Sequence, residues 1–391
     1  MKDLIEQRLH ELRSQKLDRH LEVSCGISFI HNDYLGLSQH PAILEEGRRA
    51  IELFGAGSTG SRLLGGHSRI FEDAEESVAR FFNAPSALLF STGYLANLGV
   101  IQVLGSLVDT IISDEKNHAS LIDGVQLTKR PKLVLPHGAW NKVPAELLEK
   151  KLLLVTESLF SMDGDLVLLD KLWRLFETSE SFLVLDEAHA GGVLLEEGKG
   201  LVQSAHQKDP HCWNRLAVTV TFGKAFGVGG AAILCSRELK ELLINQARSF
   251  IYTTAPAPAL VAMIKASLEV AERENWRRHE LWERASSVRA ILESANAARE
   301  KPIRNHEQGW GRKVPIIPFF ITGEDRALRF CENMRKWGAE LRAIRYPTVP
   351  KGSERIRISL NLSVSRDNTE RTAEEMVKQW MAFSLQEPIR A

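Results

Sequence analysis

Between Arg215 and Arg237 the chain reads LAVTVTFGKAFGVGGAAILCS (216–236), twenty-one residues in which Lys224 is the only charged side chain. An apolar run of this length is long enough to cross a bilayer. A lysine at the centre of such a span is costly, however, and the glycines at 223, 227, 229 and 230 would break its helix. Strand, tight glycine loop, strand satisfies both constraints and puts Lys224 in the loop. Similar short apolar runs recur upstream: ALLFS (87–91), DTIISD (109–114), KLVLP (132–136), LLLVTE (152–157) and FLVLD (182–186). Helix-like segments such as Leu168 to Phe176 separate several of them, which is the alternation of an α/β fold. Because the runs are apolar on both faces, they suit a mostly parallel sheet covered by helices on either side. Ligands of such sheets bind beyond the carboxyl ends of the strands.

Downstream of Ala255-Pro256-Ala257-Pro258 the pattern changes to a long charged helical stretch reaching about Arg299. The run VPIIPFFI (314–321), a helix around Leu328 to Trp337, the run RIRISL (355–360) and a last helix near Thr372 to Phe383 follow. Upstream, Leu4, Ile5, Leu9 and Leu12 recur at helical spacing before the turn-like His31-Asn32-Asp33-Tyr34. The expected division is an N-terminal arm (1–45), a large ligand-binding domain with the mostly parallel central sheet (46–258), and a smaller C-terminal α/β domain with its linking helix (259–391).

Composition narrows the function. The chain has 391 residues, 44% hydrophobic and 26% charged, which is ordinary for a globular protein. Fifty Lys plus Arg balance fifty Asp plus Glu, so neither a nucleic-acid nor a membrane surface is expected as partner. Small molecules are. Four cysteines, Cys25, Cys212, Cys235 and Cys331, form no CxxC, so no disulfide framework and no metal site is expected. The N-terminus, MKDLIEQRLHELRSQK, lacks the apolar core of a secretory signal, and a cytoplasmic location fits.

Three features carry chemistry. A lysine buried in an apolar loop has a depressed pKa and can form a Schiff base with a carbonyl, the chemistry of pyridoxal phosphate enzymes; a loop lysine snorkelling to solvent is the plainer alternative. Leu183-Val184-Leu185-Asp186-Glu187-Ala188-His189 ends an apolar strand in an acid and an imidazole. Asp186 there can hold a pyridine nitrogen protonated, with His189 near a phenolic oxygen. The letters Asp-Glu-Ala-His also spell a helicase-type box, but that needs a phosphate loop. Gly223-Lys224-Ala225 fails the GxxxxGK[ST] pattern at both ends. Gly55-Ala56-Gly57-Ser58-Thr59-Gly60 matches GxGxxG, yet a helical pattern precedes it and no helix starts until about Ser68, so a dinucleotide site is not expected. A phosphate cradle fits better at Ser91-Thr92-Gly93-Tyr94, where a strand turns into a helix N-terminus, with the Thr221 hydroxyl as a further donor.

Lysine, strand-end acid and glycine cradle, in the chain order Gly93, Asp186, Lys224, resemble the fold-type I pyridoxal phosphate-dependent transferases. The strings NDYLG (32–36), GAGSTGSRLLGGHS (55–68), NHAS (117–120), ESLFSMDGD (157–165), LDEAHAGGV (185–193), TFGKAFG (221–227) and YPTVPKGSERIRISL (346–360) resemble the α-oxoamine synthase family nearly from end to end. Members condense an amino acid with an acyl thioester and release its carboxylate as carbon dioxide. Gly-Ser-Thr-Gly-Ser-Arg, IYTT (251–254) and AIRYPTVP (343–350) look most like the branch that joins L-alanine to a pimeloyl thioester in biotin synthesis, with glycine-using branches as the alternative. The carrier, coenzyme A or acyl carrier protein, stays open.

The resemblance implies that Lys224 is the Schiff-base lysine, Asp186 the pyridinium partner, His189 the phenolic-oxygen partner and His118 the ring-stacking residue. Gly93 and Tyr94 would serve the phosphate with Thr221 and Ser161 nearby, Glu157 would lie on the phenolic side, and Thr254 would reach the phosphate of a neighbouring subunit in a homodimer with shared sites. Arg357 would clamp the amino-acid carboxylate near Asn32, Arg345 and Thr348 would line the acyl entrance, and Arg19 would serve the acyl substrate. Val364 stands seven residues after Arg357, where many relatives carry a histidine.

Overall fold

The computed structural model describes residues 1–386 apart from 16, 25, 204–208 and 295–310, so Cys25 and the end of the expected charged helical stretch lie outside the described residues. The seven apolar runs form one sheet: β2 (Ser86–Phe90), β3 (Thr110–Asp114), β4 (Lys132–Leu135), β5 (Leu152–Glu157), β6 (Ser181–Asp186), β7 (Leu216–Thr221) and β8 (Ala231–Cys235), following a two-residue β1 (Ile27–Ser28). Their order is β2-β8-β7-β6-β5-β3-β4. Only β8 runs against its neighbours; β7, β6, β5, β3 and β4 are parallel. Side chains alternate between two buried clusters: Leu152, Leu154, Leu183 and Leu185 enter one, and Leu153, Val155 and Val184 the other. That two-sided burial is why the runs are apolar without alternation.

One consequence positions the site. Thr221, Asp186, Glu157 and Asp114 are the last residues of β7, β6, β5 and β3, which lie side by side, so a row of polar groups lines the carboxyl edge of an otherwise apolar sheet. Facing that edge is the helix α4 (Gly93–Gly105), which starts three residues after β2 ends; it packs on α5 (Ala119–Leu127). 

A second, antiparallel sheet has the order β11-β12-β9, from β9 (Ile316–Phe320), β11 (Arg342–Ile344) and β12 (Arg355–Ser359). The N-terminal segment lies beside it: β1 pairs in parallel with β10 (Ala339–Glu340) as a separate two-stranded sheet, and the Phe29 carbonyl accepts from the Ser359 N–H of β12 at 2.8 Å. Asn32 and Tyr34 are thereby laid along β12. Before β1, residues Lys2–Ser14 form the expected helix, but it buries no residue on this chain, and Leu4, Ile5 and Leu9 stay exposed.

Helix boundaries depart from expectation where capping governs them. The stretch after Pro258 is two helices, Pro258–Arg273 and Trp276–Ser294: the backbone leaves helical geometry at Glu274, and the Glu274 and Asn275 carbonyls take the first bonds of the second. The helix expected from Leu328 starts at Glu324, with Glu324 and Asp325 suiting the positive end of its dipole. The last begins at Arg366, where the Ser365 hydroxyl accepts from the Asn368 N–H at 3.3 Å. Cys212, Cys235 and Cys331 are free thiols, and among the described residues no helix is long and apolar enough to cross a membrane.

Candidate active site

Lys224 sits in the loop between β7 and β8, as the apolar run around it requires. The loop closes through Val228 N–H to Phe222 carbonyl at 2.8 Å and Gly227 N–H to Lys224 carbonyl at 2.9 Å. Gly227 is left-handed (φ +67°), and a Cβ there would lie 2.3 Å from the Ser38 backbone nitrogen, so glycine is required. Lys224 Nζ lies 2.9 Å from His189 Nε2. Burial pulls its ammonium down to about 8 against the opposing fields of Asp186 and Glu157, with Arg357 adding to the fall. Burial, with Lys224 and Arg357 nearby, holds His189 well below its ordinary pKa, so its imidazole is neutral.

Asp186 is fixed at both oxygens. Oδ1 accepts from the Ala188 N–H at 2.8 Å and Oδ2 from Asn97 Nδ2 at 2.7 Å. Asn97 is itself oriented: Nδ2 also reaches Ser120 Oγ at 2.9 Å, and Oδ1 accepts from the Thr219 hydroxyl at 2.6 Å. Glu157, level with Asp186 on the neighbouring strand, accepts from the His118 N–H at 2.6 Å. Its burial and the charge of Asp186 raise its pKa well above the carboxylate range. His118 caps α5: Nδ1 accepts from the Ser120 N–H at 3.2 Å, which fixes the ring against the pocket.

These groups line a cavity of about 420 Å³ together with Gly93, Tyr94, Thr221 and Gly230. At its wall, Thr92 caps α4 by accepting from the Leu95 N–H at 3.2 Å, and the N–H groups of Gly93 and Tyr94 have no acceptor within their own helix. A Cβ on Gly93 would lie 2.6 Å from Thr221 Cγ2, so the cradle admits only glycine without displacing that threonine. A helix N-terminus suited to phosphate, a strand-end carboxylate suited to a protonated pyridine, and a desolvated amine suited to an aldehyde thus share one cavity. The residues fit pyridoxal phosphate.

Arg357 marks the substrate side. Its Nε donates to the Ser161 carbonyl at 2.6 Å, and its two terminal nitrogens to Ser359 Oγ at 2.6 Å and Asn32 Oδ1 at 3.1 Å. This buried cation has neutral hydrogen-bond partners only, among the described residues, and so can accept a carboxylate. A second cavity of about 690 Å³ is lined by Asn117, the neighbour of His118, and by Ser161, whose carbonyl holds Arg357, with Ile122, Met162, Phe320 and Thr348 also in its walls. Lys116 and Arg355 both pair with Asp163 at its rim.

The structure therefore brings together Lys224, Asp186, His189, His118, Glu157, Gly93, Tyr94 and Thr221, with Arg357 and Asn32 beside them. Ser161, expected near the phosphate, contributes its carbonyl to Arg357 and lines the second cavity. Thr348 lines that cavity too, whereas Arg345 pairs with Glu324. Thr254 is exposed next to the cradle, its carbonyl 3.4 Å from Ser91 Oγ, and Arg19 is exposed on the N-terminal segment. Asn97, Tyr34, Ser120 and Ser359 were not singled out from sequence, though Tyr34, Ser120 and Ser359 lie within motifs that were.

Comparison with known proteins agrees with this geometry. The model of the family described as aminotransferase class I and II matches residues 26–376. An 8-amino-7-oxononanoate synthase of Burkholderia orbicola is 37% identical over 384 residues, covering 95% of this chain and 91% of that protein. One of Burkholderia lata is 36% identical, covering 97% and 94%. Among solved structures, a serine palmitoyltransferase from S. paucimobilis superposes with a TM-score of 0.83 at 22% identity, covering 98% of both chains, and shows the shared fold. The 8-amino-7-oxononanoate synthase of Francisella tularensis gives 0.75 at 27% identity, covering 91% of this chain and 98% of that one. With the fold, the pyridoxal phosphate cavity and relatives matching nearly end to end, this chain belongs to the aminotransferase class I and II family, in its α-oxoamine synthase branch.

Proposed function

We propose that the protein is an 8-amino-7-oxononanoate synthase, a pyridoxal phosphate-dependent acyltransferase of biotin biosynthesis. It joins L-alanine to a pimeloyl thioester, the thiol and carbon dioxide leaving as the new carbon–carbon bond is made. The observation that carries this is Arg357, a buried cation with neutral partners, near Lys224 and held by the carbonyl of Ser161, a residue that lines the second cavity. The relatives bearing that name add the choice of substrates.

Gly93, Tyr94 and Thr221 would hold the phosphate of the cofactor, Asp186 its ring nitrogen, and Lys224 its aldehyde carbon. When bound, the cofactor supplies an electron sink for a bond at the Cα of an amino acid. Arg357 and Asn32 bind the alanine carboxylate and so orient that Cα. Lys224 Nζ, whose pKa of about 8 puts it within reach of both protonation states at neutral pH, takes the Cα proton and returns one to the product. Asn97 keeps the Asp186 carboxylate from rotating away from its task. The acyl thioester enters over Thr348, and the apolar walls of Ile122, Met162 and Phe320 exclude water from it. The protein works as a homodimer, whose contact covers apolar side chains beside the cradle.

The test is release of carbon dioxide and free thiol by the purified holoenzyme, comparing L-alanine plus pimeloyl-CoA with glycine plus acetyl-CoA, and with pimeloyl-acyl carrier protein as a further arm. Release with alanine and either pimeloyl thioester is expected. Release with the glycine pair alone would overturn the substrate assignment and leave the family intact.

A further inference from the structure

Tyr34 is fully buried, and its hydroxyl stands between two acceptors. It lies 2.7 Å from His189 Nδ1 and 3.2 Å from Asn32 Oδ1. A hydroxyl has one hydrogen to give. If it goes to Asn32, the phenol oxygen must accept from His189, which requires the Nδ1–H tautomer and leaves Nε2 a lone pair facing Lys224 Nζ at 2.9 Å. If it goes to His189, the imidazole must carry its own hydrogen on Nε2, and a donor faces the lysine instead. With a neutral ring only the first arrangement satisfies both bonds; the second leaves the phenol oxygen facing Asn32 Oδ1 with no hydrogen between them, which is tolerated while Arg357 and Ser359 donate to that oxygen. Burial, with Lys224 and Arg357 nearby, disfavours protonation of the ring. Burial also raises the Tyr34 pKa to about 12, so the phenol keeps its hydrogen throughout the neutral range.

Asn32 Oδ1 is crowded. Besides Tyr34 it accepts from Arg357 at 3.1 Å and from the Ser359 hydroxyl at 3.2 Å. A carboxylate on Arg357 would draw the guanidinium off this oxygen and leave it open to Tyr34.

We propose that Tyr34 is a positioning residue whose hydroxyl rotor sets the tautomer of His189 and couples it to the occupancy of the Arg357–Asn32 clamp. An occupied clamp favours Tyr34 donating to Asn32, and His189 then presents the Nε2 lone pair to Lys224. The role of the clamp rests on the amino-acid reading above; the control of the tautomer does not.

The test is nitrogen NMR of the full-length protein labelled at histidine, with the His189 signals assigned by their loss in His189→Asn. In the wild type, L-alanine added to the holoenzyme should increase the Nδ1–H form. In Tyr34→Phe the hydroxyl is gone while the ring that fills the site remains, so the ratio of the two tautomers should shift and cease to respond to alanine. An unchanged His189 tautomer ratio in Tyr34→Phe, with the cofactor bound and without it, would overturn the proposal. A ratio that depends on Tyr34 but ignores alanine in the wild type supports rotor control and counts against the amino-acid reading instead. Titration of the visible absorbance of the bound cofactor gives a second readout: its apparent pKa should move in Tyr34→Phe, which loss of packing alone would not produce.

Discussion

Gly93 ties sequence to chemistry through a single missing atom. It opens α4 at the wall of the cofactor cavity, and a Cβ there would press on Thr221 Cγ2 at 2.6 Å. Alanine is a better helix former than glycine, so Gly93→Ala should leave the stability of the cofactor-free protein within about 1 kcal/mol of the wild type. Its cost falls on the cradle: affinity for pyridoxal phosphate should drop about tenfold or more, equivalent to about 1.4 kcal/mol, as read by fluorescence titration. Equal affinity would mean that the phosphate does not sit against Gly93. Which residues were legible in the sequence follows from the same physics. Lys224 and Asp186 stand out because a charge in an apolar run needs a reason. Asn97 and Tyr34 do not, because they are neutral and their partners are distant, Asp186 lying 89 positions from Asn97 and His189 lying 155 from Tyr34. Arg357 was found through the resemblance, while the three neutral oxygens that hold it come from separate segments of the chain.

The segment between β5 and α6 (Leu169–Thr178) is held by a half-buried histidine that sequence did not single out. His137 Nδ1 lies 2.9 Å from Asp114 Oδ1 at the end of β3, its Nε2 bonds Asp165, and its ring meets Phe160 edge-on at 4.5 Å. The pinned segment carries the Ser161 carbonyl that holds Arg357, so this contact reaches the substrate clamp through the backbone. Burial pulls the His137 pKa down, but hydrogen bonds and charge from Asp114 and Asp165 outweigh it and raise it from 6.5 to about 9. A folded-state pKa above the unfolded one contributes stability that is complete below pH 6.5 and is lost as pH rises through about 9. His137→Phe keeps the ring and removes the charge. Urea unfolding at pH 6 should show a loss on the order of 3 kcal/mol, since two buried carboxylates lose their cation. The gap between wild type and variant should narrow above pH 9, and a gap constant across that range would mean that His137 is neutral in the fold. The rest of the element pattern was readable because a parallel sheet buries both faces of each strand; helix starts were not, since Asn275 and Ser365 act as caps through local hydrogen bonds that apolar spacing does not record.

Considered as a whole, the molecule leaves apolar surface beside its own cofactor cradle. Leu53 and Phe54 end α2 (Pro41–Phe54), Leu63 and Leu64 lie in the glycine-rich loop that follows, and Tyr252 is 72% exposed. The loop and the Tyr252 segment are stapled together: the Ala255 N–H donates to the Gly60 carbonyl at 2.9 Å, and the Ser58 hydroxyl to the Pro256 carbonyl at 2.5 Å. Thr254 in that segment neighbours Ser91 at the cradle. A second copy covering this patch would bury the exposed apolar groups and bring its own Thr254 to the partner's phosphate site, as a symmetric dimer allows. Sedimentation should give twice the 43.8 kDa chain, and Leu64→Glu combined with Tyr252→Glu should shift it to monomer and abolish turnover. Sharing of the site can be separated from mere association by mixing two inactive proteins, Lys224→Ala and Thr254→Arg. In a mixed dimer one of the two sites would combine an intact Lys224 from one subunit with an intact Thr254 from the other, and random mixing would restore about a quarter of wild-type activity. If Thr254 served its own subunit's phosphate, every site in the mixture would carry one defect, and no activity would return.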